Sequence, residues 1–183
     1  MHYKMVMALS FLACHTPYRL LMAAGWLLGN LYYLLIKRQR ELAIAQIMSA
    51  LHMTETEAKK TVRASFINLA RNVLEILYMP HLNRKNFRKY IEIDHLERME
   101  AALAEGKGVV VLTGHIGTWE WLSAAFSLNG MPVTAIAKSQ PNMQYTYALN
   151  DLRKTIDVEI FSRGTSELLA AARALRKGKL LGF

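Results

Sequence analysis

The segment Gly108–Trp121, GVVVLTGHIGTWEW, decides the fold of the chain. Its first five residues form a continuous apolar run rich in valine, which is typical of a strand buried on both faces of a parallel sheet. Gly114 and Gly117 then allow the backbone to turn, and a helix is predicted to begin near Thr118. The segment therefore predicts a strand that turns directly into a helix, as in open α/β sheets.

The same alternation of strand and helix continues on both sides of this segment. The predicted strands are Ile91–Ile93, Gly108–Leu112, Val133–Ala137, Val158–Phe161 and Leu180–Phe183, and the predicted helices are Leu96–Ala104, Thr118–Leu128, Asn142–Lys154 and Thr165–Lys177. Strands that alternate with helices of this length are joined by crossovers, which make the sheet mostly parallel. Because the sequence stops inside the last predicted strand, we expect it to be part of a longer protein, with an α/β domain truncated at its C-terminus.

The N-terminal region has a different character. Leu20–Ile36 is a run of 17 uncharged residues, bounded by Arg19 and by the basic cluster of Lys37, Arg38 and Arg40. As a helix the run would be about 25 Å long, slightly short of the roughly 30 Å hydrocarbon core of a bilayer. The run is therefore predicted to associate with a membrane, either spanning it or lying in its interface. A buried core helix is the alternative.

Other residues of the run also favour a membrane. Trp26, Tyr32 and Tyr33 are ring types that concentrate at membrane interfaces, and Gly25 and Gly29 have the spacing of close helix contacts in membranes. The short apolar stretch from Met5 to Ala13 lacks a clear cleavage site for a signal peptide. We interpret it as the start of the same anchor region.

The middle of the chain is predicted to be helical and soluble. Thr54 and Glu57 have the spacing of a capping box, so a long helix should start there and run to about Met79, where Pro80 ends it. A basic run follows, formed by Arg84, Lys85, Arg88 and Lys89, and it is either an ordinary solvated surface or a contact for an anionic partner. The predicted organisation is an anchor region (1–40), a helical segment (41–90) and an α/β domain (91–183).

Composition limits the class of protein. The chain has 183 residues, of which 52% are hydrophobic, and a formal charge of +9. This hydrophobic content excludes a disordered chain, and the single cysteine, Cys14, excludes an internal disulfide. The basic excess predicts an anionic partner: nucleic acid, a membrane surface, or an acidic carrier or substrate.

The candidate chemistry lies in the turn that follows the first buried strand. His115 stands at the carboxyl end of that strand and Glu120 on the first turn of the next helix, so we expect the carboxylate to fold back onto the imidazole. A carboxylate that accepts one ring N–H leaves the other nitrogen free as a base near neutral pH. The spacing by itself is a weak pattern, and a structural histidine is the alternative.

Other chemistries find less support in the sequence. No second histidine or cysteine lies at helical spacing from His115, so a metal site is not expected. A G-x-S-x-G motif is absent, and Gly106-Lys107-Gly108 precedes a strand instead of following one, unlike a phosphate-binding loop.

The segment GVVVLTGHIGTWEW resembles the signature of the bacterial lipid A late acyltransferases, the lauroyl and myristoyl transferases related to the glycerolipid acyltransferases. The hallmark of that family is a histidine, four residues, and then an aspartate or glutamate. The resemblance covers nearly the whole chain, because Arg63–Ile76 is similar to the helix before the catalytic domain and Arg173–Phe183 to the stretch that leads to a later motif.

This resemblance implies a site and a reaction. His115 would be the general base, Glu120 would orient it, and Arg153 matches a family arginine near the active site. The reaction would transfer an acyl chain from an acyl carrier protein thioester to a hydroxyl of a lipid A precursor, at the cytoplasmic face of the bacterial inner membrane. The implied partners are the carrier protein, the lipid acceptor and the membrane. No cofactor, no metal and no nucleic acid are expected. A related enzyme with another membrane lipid as acceptor, or an inactive membrane-bound fragment, are the alternatives.

Overall fold

The structure, a computed structural model, describes residues 1–162 and 165–182. The helices are α1 (His2–Cys14), α2 (Tyr18–Leu35), α3 (Lys37–Leu51), α4 (Glu55–Tyr78), α5 (Leu96–Ala104), α6 (Trp119–Leu128), α7 (Met143–Lys154) and α8 (Thr165–Arg176). The strands are β1 (Val109–Val111), β2 (Val133–Ala137), β3 (Glu159–Ser162) and β4 (Leu180–Gly182). Phe183, the predicted end of the last strand, lies outside the described residues.

The chain divides into two compact units. One contains residues 15–75, and the other contains residues 1–14 together with the chain from residue 76 onward. The divisions therefore fall after residues 14 and 75, whereas the sequence predicted them after residues 40 and 90.

The second of these units, the α/β unit, is built on a four-stranded parallel sheet in the order β1-β4-β2-β3. Strand β4 lies between β1 and β2, with Leu181 in register with Val110 on one side and with Thr134 on the other. The buried hydroxyl of Thr134 donates a hydrogen bond of 2.6 Å to the backbone oxygen of Leu180. The predicted parallel α/β sheet is thus confirmed.

One predicted strand is wrong. Residues 91–93 form no strand, because the chain before them is already committed to a tight turn. The backbone N–H of Ile91 donates to the oxygen of Phe87 at 2.9 Å, closing the short 3₁₀ helix Phe87–Lys89. This backbone donor is therefore not available to pair with a neighbouring strand.

Helix α1 belongs to the α/β unit. The Tyr3 hydroxyl donates to Asp151 of α7 at 2.8 Å, and the Ser10 hydroxyl donates to the oxygen of Leu77 at 2.6 Å. The rings of His2 and Tyr145 are also in contact, with centroids 5.3 Å apart and planes tilted by 34°. Helix α1 thus packs on α7, and the interpretation of residues 5–13 as the start of the anchor region stays a prediction.

The first unit is a helical assembly in which α2 packs closely against α4. A Cβ atom at Gly29 would overlap the backbone of Ile67, and one at Gly25 would lie 2.8 Å from the Arg71 side chain. Arg63 reinforces this contact, since its Nε donates to Asn30 of α2 at 2.7 Å. The two glycines that the sequence associated with a membrane thus serve a helix contact within the chain itself.

The start of α4 follows the sequence prediction. The backbone N–H of Thr54 donates to the Glu57 carboxylate at 2.9 Å, and the N–H of Glu57 donates to the Thr54 hydroxyl at 3.4 Å. These reciprocal bonds form the predicted capping box, which satisfies two backbone donors at the helix start. A small core of Ile44, Ala58 and Val62 lies beside it.

No helix in the described part of the chain is, by itself, long and apolar enough to cross a membrane. Helices α2 and α3 meet these criteria only as a pair, bent by 91° at the break between them.

The close contact of α2 with α4 predicts the effect of adding one methyl group. We expect Gly29→Ala to lower the free energy of unfolding by about 1–3 kcal/mol, because the new Cβ atom meets backbone that cannot move aside. Denaturant unfolding of the purified chain measures this change. Ala24→Ser, which adds one atom on the exposed side of the same helix, is the control and should stay within about 0.5 kcal/mol of the parent. Equal stability of both variants and the parent would contradict the packing.

Candidate active site

A cavity of about 400 Å³ lies beside the carboxyl ends of the parallel strands. Small residues of the sheet, Ala135 and Gly182, leave room for it, and helices α6 and α7 contribute side chains to its wall. Most of the lining is apolar, and it includes Val111, Leu122, Phe126, Val133, Ile136, Leu149, Ile160 and Leu180. The polar residues include all three that the sequence and the resemblance identified: His115, Glu120 and Arg153.

His115 lies in the turn that connects β1 to α6. The turn depends on Gly117, whose φ of +57° is a conformation that residues with a side chain rarely adopt. The His115 side chain is exposed and rests on the ring of Trp119, with ring centroids 4.7 Å apart. Within the described residues no hydrogen bond fixes its imidazole, so both ring nitrogens are accessible for proton transfer.

Glu120 and Arg153 form a buried ion pair between α6 and α7. The Nε and Nη2 groups of Arg153 donate to the two carboxylate oxygens of Glu120 at 2.8 and 2.5 Å. The Glu120 side chain is only 10% exposed and the Arg153 side chain only 13%. A guanidinium that binds both oxygens at once is a strong and geometrically specific partner for a carboxylate.

This ion pair corrects the expectation that the Glu120 carboxylate folds back onto His115. The histidine and the glutamate line the same cavity, but no hydrogen bond joins them in the described structure. Both carboxylate oxygens of Glu120 instead accept N–H groups from Arg153. The physical reason is that Arg153 approaches from a neighbouring helix with a permanent charge and a fork that fits the carboxylate.

Sequence reasoning missed other polar residues of the cavity, namely Ser123, Lys138 and Gln140. Lys138 follows the carboxyl end of β2 in the way that His115 follows β1, and Ser123 lies one helical turn after Glu120. The position of Lys138 just after a predicted strand was a signal that could have identified it, because parallel strands end at the same edge of a sheet. Ser123 carries no comparable signal.

The described residues offer little support for metal or cysteine chemistry. They contain no group of three or more His, Cys, Asp or Glu side chains placed to hold a metal ion. Cys14 does not line the cavity, and burial raises the pKa of its thiol, which disfavours the reactive thiolate. The expectation that no cofactor takes part stays a prediction.

The family model for bacterial lipid A biosynthesis acyltransferases matches residues 2–183. The chain belongs to this family. Comparison with individual curated proteins gives no match.

Membership of the lipid A biosynthesis acyltransferases confirms the family indicated by the sequence resemblance. It makes the chain an acyltransferase of lipid A biosynthesis, an enzyme class that takes an acyl donor and a lipid acceptor. The site residues of the resemblance, His115, Glu120 and Arg153, are gathered at one cavity of this acyltransferase chain.

The buried ion pair predicts a non-additive effect on stability. We expect Arg153→Met to lower the free energy of unfolding by about 3 kcal/mol, because it leaves the Glu120 carboxylate buried without its cation. Adding Glu120→Gln to Arg153→Met should recover at least about 1 kcal/mol of that loss, because the uncompensated charge is removed. Denaturant unfolding measures both values. Arg176→Met, at an exposed arginine, is the control, and additive losses for Arg153 and Glu120 would contradict their pairing.

Proposed function

We propose that this chain transfers a fatty acyl group from an acyl carrier protein thioester to a hydroxyl of a lipid A precursor, with His115 as general base. The observation that carries the proposal is the placement of His115 and the Glu120–Arg153 pair at one largely apolar cavity. Such a cavity suits an acyl chain whose reacting end lies among a few polar groups.

In this mechanism His115 acts on the acceptor. One ring nitrogen takes the proton of the acceptor hydroxyl as its oxygen attacks the thioester carbonyl. When the carbon–sulfur bond breaks, the thiolate of the carrier arm leaves and accepts that proton from the imidazolium. The ester forms in one enzyme complex, and no covalent enzyme intermediate is needed.

Arg153 is proposed to stabilise the negative charge that develops on the carbonyl oxygen. Three of its five N–H donors have acceptors within the described residues, two on Glu120 and one on Asn150. The remaining donors are available for the oxyanion, and a donor fixed in advance needs no reorganisation during the reaction. In this proposal Glu120 is a positioning residue that acts through Arg153.

The basic run of the α/β unit is the proposed contact for the acidic carrier protein. Arg84, Lys85, Arg88 and Lys89 are all exposed, while Phe87 between them is buried and anchors the segment. Arg88 is further held by a hydrogen bond of 3.1 Å to Asn129. Exposed charges of this kind chiefly accelerate the encounter with an oppositely charged partner.

Membrane association is proposed through the outer side of α2. Its glycine side is buried against α4, whereas its large apolar residues remain exposed, among them Leu27, Leu31 and Leu34. These leucines follow one another at spacings of four and three, so they share one side of the helix. Contact of this side with the cytoplasmic face of the inner membrane would bring the enzyme to its lipid acceptor.

A different membrane lipid as acceptor is the nearest alternative, and it would use the same residues. The experiment that separates them is incubation of the chain with an acyl carrier protein thioester and either the tetraacylated lipid A precursor or a lysophospholipid. A gain of one acyl chain on the precursor, seen by mass spectrometry, supports the proposal. A gain on the lysophospholipid alone would show that the acceptor is a different membrane lipid. No gain on either acceptor would favour an inactive fragment.

The proposed base predicts a specific kinetic loss. We expect His115→Ala to lower kcat by about 10² to 10⁴-fold with little change in donor affinity, because general-base catalysis contributes this much. Steady-state kinetics with a radiolabelled acyl donor measures it.

His95→Ala is the matched control, since His95 is an exposed histidine that pairs with Glu97 and does not line the cavity. It should retain turnover close to that of the parent. A His115→Ala enzyme with turnover within about threefold of the parent would return His115 to a structural role.

The proposed membrane contact predicts a loss of vesicle binding. We expect Leu27→Gln with Leu34→Gln to reduce partitioning onto anionic phospholipid vesicles at least about tenfold, because each exposed leucine contributes about 1.5–3 kcal/mol when buried. Flotation in a density gradient measures the bound fraction. Leu168→Gln with Leu169→Gln, at exposed leucines of α8, is the control. Equal flotation of both double variants would contradict a specific role for α2.

A further inference from the structure

A second residue besides Glu120 holds the side chain of Arg153. Asn150 lies three residues before Arg153 on α7, so the two side chains share one face of the helix. The Asn150 side-chain oxygen accepts a hydrogen bond from Nη1 of Arg153 at 3.2 Å. The acyl transfer proposed above gives Arg153 a role but leaves Asn150 without one.

The contact between Asn150 and Arg153 is chemically possible in one direction only. A guanidinium carries donors and no acceptor, so the amide oxygen of Asn150, and not its NH2 group, must face Arg153. All three nitrogens of the guanidinium then have a partner, because Nε and Nη2 bind Glu120 and Nη1 binds Asn150. The plane of the guanidinium is thus fixed from α6 on one side and from α7 itself on the other.

These three bonds decide which donors of Arg153 stay free. Nε has one N–H group, and Nη1 and Nη2 have two each. Glu120 takes the N–H of Nε and one of Nη2, while Asn150 takes one of Nη1. Among the described residues the two other N–H groups have no acceptor, and one of them lies on each terminal nitrogen. Since Arg153 lines the cavity, these two donors are available to a bound substrate.

The neutrality of Asn150 matters for the charge of the site. Glu120 already balances the single positive charge of Arg153. An amide oxygen holds Nη1 through its dipole and adds no net charge. A carboxylate in its place would give the three side chains a net negative charge, which would repel a developing oxyanion. Asparagine therefore orients the guanidinium without weakening its attraction for an anion.

We propose that Asn150 is a positioning residue of the acyl transfer and acts through Arg153. It fixes the guanidinium so that the two free N–H donors point toward the thioester carbonyl oxygen of the bound donor. A hydrogen-bond donor held in place before the reaction is more effective than a mobile one, because it needs no reorganisation as charge develops. This inference rests on the proposed acyl transfer and adds to it the residue that orients its oxyanion donors.

Steady-state kinetics of the full chain tests this role with two substitutions. We expect Asn150→Ala to lower kcat about tenfold and to leave the KM of both substrates within about threefold, because the free donors act on the transition state. We expect Asn150→Asp to keep an acceptor for Nη1 and still to lower kcat about tenfold, because the added negative charge opposes the oxyanion. Loss of activity in a variant that still holds the guanidinium separates positioning from a merely structural role.

Nitrogen-15 NMR of the Arg153 guanidinium reports the positioning without any turnover. In the parent we expect separate signals for Nη1 and Nη2, because hydrogen bonds slow the rotation of both groups. These signals are assigned by their absence from the spectrum of Arg153→Met. Asn150→Ala should release Nη1 and leave the Nε signal, which reports the bond to Glu120, unchanged. Asn150→Asp should keep Nη1 restrained.

Asn30→Ala is the matched control, since Asn30 also accepts an arginine N–H, from Arg63, but lies on α2 and does not line the cavity. It should keep a kcat close to that of the parent. An Asn150→Ala enzyme with the kcat of Asn30→Ala, or with unchanged Arg153 signals, would overturn the role of Asn150. A parent without turnover would instead overturn the proposed function, and the Nη1 signal would still decide whether Asn150 fixes the guanidinium.

Discussion

The ion pair between Glu120 and Arg153 is the interaction on which the site depends. It joins α6 to α7 across the cavity, and each of these helices follows a different strand of the sheet. A carboxylate and a guanidinium buried together are stable only as a pair, so the two helices are held at a fixed separation. That separation leaves the apolar cavity open beside His115, and it fixes the direction of the remaining N–H donors of Arg153.

Packing around α7 supports the same arrangement. Helix α1 contacts α7 through Tyr3 and His2, and the buried Ser127 hydroxyl of α6 donates to the backbone oxygen of Ile156, just after α7, at 2.6 Å. Two hydrogen bonds and one ring contact thus hold α7 in the α/β unit. The N-terminal helix therefore contributes to the position of Arg153, a role distinct from the membrane contact proposed for α2.

Much of the fold could be predicted from local patterns. The strand Val133–Ala137 and the helix Leu96–Ala104 match their predicted bounds, because β-branched runs and apolar periodicity are properties of the segment itself. The strand at 91–93 and the bond from Glu120 to His115 were wrong for a common reason. In both cases a competing hydrogen bond decided the outcome, from Ile91 to Phe87 in the first and from Arg153 to Glu120 in the second. The spacing of residues in the sequence does not reveal such a competitor. Lys138 was missed although it directly follows the correctly predicted strand Val133–Ala137, because that position was not connected with the sheet edge at which β1 also ends.

The position of β4 affects the order in which the chain can fold during synthesis. Because Leu180–Gly182 lies between β1 and β2, these two strands have no direct contact with each other in the sheet. About seventy residues separate β1 from its neighbour β4, so β1 stays unpaired until the ribosome has released that later segment. During this interval the apolar GVVVL strand lacks its neighbour in the sheet, and an unpaired hydrophobic strand makes an incomplete chain prone to aggregation.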